Sequence, residues 1–359
     1  MNRSLQTLGI SLALATSPFT SATWAQDAGS PATDRTLLAY ASTKDSVRLP
    51  DGRTIHLVCM GHGTPTVILT AGGGDWSISW NRVQPAVSSH TRVCSWDRAA
   101  FGFSGPSPIP QTVDNTTNDL EAALKAGGIA GPFIVVGHST GAYESILLAD
   151  RQPSAVVGMV LVDPSVPDQT ARFDRVTPAQ SAWLRARGNP LVDFLETCAV
   201  ALRAGKVRRD GADPQGCLRA PPWPPNYPPQ LRTALDKLSS ESSPDAIAAA
   251  METYASYTKL IDLDSKIVVK PDRSYGAMPL IVLTAADFQA PPDYSAAAKA
   301  EIPQFHAEWE RAHDAYAALS TNGVNRTVAS SHDIPQIRPQ AVIDAITEVL
   351  KDARDSRHR

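Results

Sequence analysis

The apolar run Phe133-Ile134-Val135-Val136 breaks into Gly137-His138-Ser139-Thr140-Gly141 and then continues with Ala142, Ile146, Leu147 and Ala149 at helical spacing, until Pro153 ends the pattern. A strand that turns this sharply into a helix lifts the residue at the turn above the sheet edge, in a strained backbone conformation. Ser139 holds that place and is the candidate nucleophile, because a hydroxyl attacks a carbonyl only when it is exposed, oriented and deprotonated by a neighbour. Side chains at Gly137 and Gly141 would collide as strand and helix approach, so both positions favour a missing Cβ. The plain alternative is a glycine-flanked surface turn, which the flanking strand and helix patterns disfavour.

The same alternation runs through most of the chain. Short apolar runs at 66–70, 92–96, 133–136, 156–162, 280–284 and 324–329 are separated mostly by helix-like segments. That rhythm predicts an α/β protein with a mostly parallel central sheet covered by helices on both faces. Residues 46–57 alternate around Pro50-Asp51-Gly52 and predict a β-hairpin. A terminal helix follows Pro339, with Val342, Ile346 and Val349 on one face, before a charged tail expected to fray from Lys351. The stretch 168–275 breaks the rhythm and reads as an inserted helical cap. Leu191, Phe194, Leu195, Cys198 and Leu202 mark one helix face, Leu231, Leu235 and Leu238 a second, and Ile247, Met251 and Tyr254 a third behind Ser243 as N-cap. Between the first two lies Pro221-Pro222-Trp223-Pro224-Pro225-Asn226-Tyr227-Pro228-Pro229, which predicts a stiff extended loop. The expected division is a signal peptide at 1–25, a linker at 26–43, core at 44–167, cap at 168–275, core again at 276–350 and the tail at 351–359.

At 359 residues, 43% hydrophobic and 19% charged, the chain can bury a large core. A formal net charge of -3, with no basic run, argues against nucleic acid as a partner and against a polyanionic substrate. Arg3, the apolar stretch 8–15 and Thr23-Trp24-Ala25 together read as an export signal, too short to span a membrane, so an exported protein without a stable membrane span is expected. Cys59, Cys94, Cys198 and Cys217 form no C-x-x-C pair and stand beside no histidine at metal-ligand spacing, which disfavours zinc. In an exported protein an even count points to two disulfides, and a Cys198–Cys217 bridge would stabilise by roughly 3 kcal/mol in the chain-entropy model.

Serine catalysis also needs two backbone N–H groups aimed at the developing oxyanion. Thr140, at the helix start, supplies one; Gly73, in the Ala71-Gly72-Gly73-Gly74 loop after the first of the parallel strands, is chosen for the other. That loop does not cradle a dinucleotide, since Ser77 stands where the third glycine of G-x-G-x-x-G belongs. Among eight histidines, His332 alone follows the last strand and precedes the last helix, the place for a general base. His138, beside the nucleophile, reads as a packing residue. Two aspartates compete to orient the imidazole: Asp163 ends the run 156–162, and Asp287 lies just beyond 280–284. Trp76 and Trp80 are candidates for the pocket wall, though buried aromatics are more often plain core.

Taken with Trp96-Asp97-Arg98-Ala99-Ala100-Phe101-Gly102-Phe103-Ser104 and Leu161-Val162-Asp163-Pro164, these motifs resemble the α/β-hydrolase superfamily, in its cap-bearing branch of serine esterase-like enzymes, over residues 46–167 and 278–350. The resemblance implies neighbouring strands for Cys59 and Cys94, and hence a cross-strand disulfide. It also implies a serine hydrolase acting on a small-molecule ester or related acyl bond through an acyl-enzyme, with no metal or organic cofactor. Two positions depart from the family pattern. Ser331 stands where glycine often precedes the histidine, and Ala285-Ala286-Asp287 replaces a Gly-x-x-Asp spacing. The second weighs toward Asp163, and both aspartates stay open. Ser139 argues against an epoxide hydrolase or dehalogenase, which would attack with an aspartate. Proline-specific peptidase, lactonase, acyltransferase, cofactor-free haloperoxidase and lyase chemistry share the scaffold, and a catalytically silent binding module is the alternative from another class.

Overall fold

The computed structural model describes residues 34–211, 213–218 and 224–356. The expected signal peptide and the Pro221-Pro222-Trp223 part of the proline-rich run lie outside the described residues. Within the expected linker, Arg35–Ala41 forms a 3-10 helix capped by the Asp34 carboxylate. Tyr40 is fully buried there and its hydroxyl donates to Gln84 Oε1 at 2.9 Å, so this segment belongs to the packed body.

Strands β1 (Val47–Arg48) and β2 (Thr54–Ile55) make the expected hairpin, with Val47 opposite Ile55. The main sheet contains β3 (Leu57–Met60), β4 (Thr66–Thr70), β5 (Val93–Trp96), β6 (Phe133–His138), β7 (Val156–Val162), β8 (Leu280–Ala285) and β9 (Gly323–Val328). Their order is β3-β5-β4-β6-β7-β8-β9, antiparallel between β3 and β5 and parallel at every other pairing. Strand β6 runs two residues past Val136, because Gly137 and His138 still pair with Leu161 and Val162.

The helices are α1 (Gln84–Val87), α2 (Val113–Ala126) and α3 (Gly141–Arg151); then α4 (Gln169–Val176), α5 (Pro178–Arg187), α6 (Pro190–Arg203), α7 (Pro229–Glu241) and α8 (Pro244–Ile267), all between β7 and β8. After β8 come α9 (Ala296–Ala300) and α10 (Ile302–Ala317), and after β9 come α11 (Ile334–Ile337) and α12 (Pro339–Ser356). Because side chains alternate along a strand, each apolar run feeds two cores. Val67, Leu69, Ile134, Val136, Val160, Val162, Ile281 and Leu283 meet α1 and α12 on one face. Ile68, Val135, Leu161 and Val282 meet α2, α3 and α10 on the other. Continuous runs of β-branched residues are therefore what a sheet buried on both sides requires.

Helix α12 does not fray at Lys351. It continues to Ser356, since Ala353 is buried against the sheet and Arg354 donates to Thr64 O and His90 O. A third core joins α6, α7 and α8 through Leu195, Leu202, Leu231, Leu235, Ile247 and Met251, and extends to Trp76, Phe101 and Phe103. Ser243 caps α8 by accepting from the Ala246 amide at 3.1 Å. Helices α4 and α5 bury little, with Phe173 the one buried residue of the first and Gln180 that of the second. The cysteines pair as Cys59–Cys94, directly opposite across β3 and β5, and Cys198–Cys217.

Candidate active site

Parallel strands end on a common edge, so the loops after β4, β6, β7, β8 and β9 emerge together. Ser139 leaves β6 with φ 52°. The turn leaves no room beside it: a Cβ on Gly137 would stand 2.3 Å from Gly141 O, and one on Gly141 would stand 2.5 Å from Thr70 O. Strand and helix are in backbone contact at this point, which is why the residues two before and two after the strained serine lack side chains. Thr140 opens α3, and its hydroxyl lies 2.9 Å from the Tyr257 hydroxyl of α8. The glycine loop passes alongside, since a Cβ on Gly72 would be 3.2 Å from Ser139 Cβ and one on Gly73 would be 3.2 Å from Thr140 Oγ1.

His332 stands on the loop between β9 and α11, with its Nδ1 2.5 Å from Asp163 Oδ2. Its side chain is 17% exposed and that of Asp163 only 1%. The other oxygen of Asp163 accepts from the Ala285 amide and from the Trp309 indole N–H, each at 2.9 Å. Burial alone would push the Asp163 carboxyl up, but the hydrogen bond and charge of His332, with His313 and Trp309 behind them, hold it below the ordinary carboxylate value. An ionised Asp163 is an acceptor for a proton on His332 Nδ1, the tautomer that leaves Nε2 unprotonated. Asp287, by contrast, is exposed beyond β8, where its amide donates to Ser330 O; the structure brings Asp163 to His332 and leaves Asp287 outside that pair.

His138 does more than fill space. Its Nε2–H donates to the His332 carbonyl at 3.0 Å, and burial together with the nearby His332 pushes its pKa down to about 3, so it is a neutral strut beneath the His332 loop. Trp80 is fully buried in the sheet core, and Trp76 packs edge-on against Phe103 in the core shared with α6–α8. Trp309 carries no signal of this contact in the sequence, because its spacing with Phe305, Ala312 and Tyr316 looks like ordinary helix core. Among the described residues no cluster of histidine, cysteine, aspartate or glutamate has the arrangement of a metal site.

A family model for the α/β hydrolase fold matches residues 65–191, the segment that contains the glycine loop and the Ser139 turn. The chain has the α/β-hydrolase fold. Among curated relatives, YqjL of Bacillus subtilis is 34% identical over 103 residues, covering 29% of this chain and 41% of that protein. A Klebsiella pneumoniae protein provisionally named the carbamate hydrolase RutD is also 34% identical, over 102 residues, covering 28% and 38%. The chain thus spans about two fifths of the length of these relatives. A solved structure provisionally titled a lipase, from Acinetobacter baumannii, superposes with a TM-score of 0.55 at 18% identity, over 90% of this chain and 95% of that chain, which speaks for the fold.

Proposed function

We propose that this α/β hydrolase is an exported serine hydrolase that cleaves a carboxylic ester or related acyl bond of a small molecule. The observation that carries the proposal is the buried Asp163 carboxylate 2.5 Å from His332 Nδ1, on the rim where the strained turn presents Ser139. In this reading His332 Nε2 takes the proton from Ser139 Oγ as the oxygen attacks the acyl carbon, and the Gly73 and Thr140 N–H groups receive the oxyanion. The tetrahedral adduct collapses, His332 gives its proton to the leaving alcohol, and an acyl-enzyme remains. Water, deprotonated by His332, then attacks the ester and frees the acid, and the proton returns to Ser139.

Helices α4–α8 act as the cap in this proposal. Support comes from the way α8 is tied across the rim: Thr253 Oγ1 donates to Ser107 O at 3.1 Å, Asp264 accepts from the Val113 amide at 2.8 Å, and Tyr257 reaches Thr140. Export agrees with two disulfides and with the lack, among the described residues, of any helix long and apolar enough to cross a membrane.

A fluorophosphonate probe followed by peptide mass spectrometry tests the nucleophile. One phosphonyl group per chain, on Ser139, is expected, with hydrolysis of p-nitrophenyl esters lost in proportion. A folded protein that stays unlabelled and inert toward short and long acyl chains would refute the proposal.

A further inference from the structure

The loop that passes the nucleophile contains three consecutive glycines, a run with almost no intrinsic preference for one peptide orientation over its flip. Something outside the loop must hold it. Arg98, two residues beyond β5 and 2% exposed, donates from Nη2 to Ala71 O at 2.8 Å and from Nη1 to Gly72 O at 3.1 Å. Its Nε donates to Glu144 Oε1 of α3 at 2.6 Å, and the same carboxylate oxygen accepts from Thr116 Oγ1 at 3.0 Å. The guanidinium also lies 5.0 Å from the ring centre of Tyr257, whose hydroxyl meets Thr140. One buried cation therefore touches the loop carbonyls, the helix that follows Ser139 and the aromatic ring over Thr140.

In a trans peptide the C=O and the next N–H point in opposite directions. Drawing the Ala71 and Gly72 carbonyls onto one guanidinium therefore sends the Gly72 and Gly73 N–H groups to the far side. We propose that Arg98 is a positioning residue: it locks the peptides of the glycine loop so that the Gly73 N–H stays aimed at the oxyanion, and Glu144 holds Arg98 in register. The inference rests on the serine-hydrolase reading above. It also accounts for arginine in particular, because only a planar fork reaches two successive carbonyls and a carboxylate at once, whereas an ammonium on a flexible stem cannot hold that geometry.

Arg98→Lys keeps the charge and loses the fork. With one oxyanion donor misaimed rather than deleted, kcat on p-nitrophenyl acetate should fall by about 10- to 100-fold while KM stays within about threefold. Affinity for a trifluoromethyl ketone, which forms a tetrahedral oxyanion adduct on the serine, should weaken in parallel. Arg273→Lys is the control for simple loss of a buried arginine: Arg273 pairs with Asp150 and the Val268 carbonyl away from the rim, so its loss should lower Tm and leave kcat alone. An Arg98→Lys protein with native circular dichroism, and with kcat and ketone affinity within twofold of the parent, overturns the proposal.

If that variant does not fold, Glu144→Gln, which keeps an acceptor for Nε and removes the counter-charge, should lower kcat by roughly 3- to 10-fold at unchanged KM. Unchanged kcat there also overturns the clamp. Fluorophosphonate labelling of the parent separates the two claims. A parent that labels at Ser139 while Arg98→Lys turns over normally removes the clamp alone, and a parent that never labels removes the hydrolase reading beneath it.

Discussion

Among the described residues two histidine–aspartate pairs, one enclosed and one partly exposed, are made from the same groups at nearly the same distance. His56 Nδ1 lies 2.6 Å from Asp97 Oδ2, and His332 Nδ1 lies 2.5 Å from Asp163 Oδ2. Their surroundings differ. The His56 side chain is wholly enclosed, its Nε2 lies 3.0 Å from the Ser42 carbonyl, and Asp97 also accepts from the Ser77 and Phe103 amides. That pair ties the chain before β1 and the loop after β5 to the body. His332 keeps an exposed edge on a loop at the same sheet rim from which the strained Ser139 emerges. What equips such a pair for proton transfer is an imidazole nitrogen that can reach a reacting group, and the fold grants that only at the rim.

The comparison can be broken in order of effect. Ser139→Ala should reduce turnover by about 10⁶-fold with little change in Tm, measured on a p-nitrophenyl ester, and retained activity would show that the rim does not work as proposed. Asp163→Asn should cost about 10⁴-fold in kcat by misplacing the His332 proton. Asp97→Asn should instead leave kcat of the folded protein within a few fold and cost about 3–5 kcal/mol in urea unfolding, because it strands His56 in the interior. Equal kinetic losses from the two substitutions would erase the distinction.

Smaller changes sharpen it. Trp309→Phe removes one donor from Asp163 and should lower kcat by about tenfold while Asp287→Asn stays within about twofold, both read by steady-state kinetics. The smallest effect is in pH dependence. Burial opposes the charge on His56, but Asp97 outweighs it and raises the pKa, so this histidine stabilises the fold fully below its unfolded value near 6.5 and loses that contribution as pH rises through its folded value. Asp163 is lowered, so its contribution is present above about pH 4 and is lost as pH falls through the folded value. Stability curves of His56→Gln and Asp163→Asn against the parent should therefore converge at opposite ends of the pH range, the first at high pH and the second at low pH.

The legible parts were those in which local rules suffice. Apolar runs such as 156–162 marked their strands because a sheet buried on both faces demands them, and Ser243 marked the start of α8 through its cap. Helices α4 and α5 were harder to read because each is short and buries a single residue. The continuation of α12 past Lys351 was hidden for a different reason. Its last turns are polar in sequence, and they hold through Ala353 against the sheet and Arg354 on carbonyls 264 and 290 positions away.

By itself the amino-acid order determined the alternating sheet, the strained serine between two glycines that admit no side chain, and four cysteines in even number. Periodicity, steric clearance and residue chemistry act over a few neighbours, so they can be read in a line. Only the tertiary structure decided that Asp163 meets His332 while Asp287 faces solvent, that an indole from α10 feeds the carboxylate, and that Arg98 grips the glycine loop. Those partners lie 26 to 169 residues apart, and no local rule selects among several aspartates or arginines until the sheet register has brought one of each to the rim.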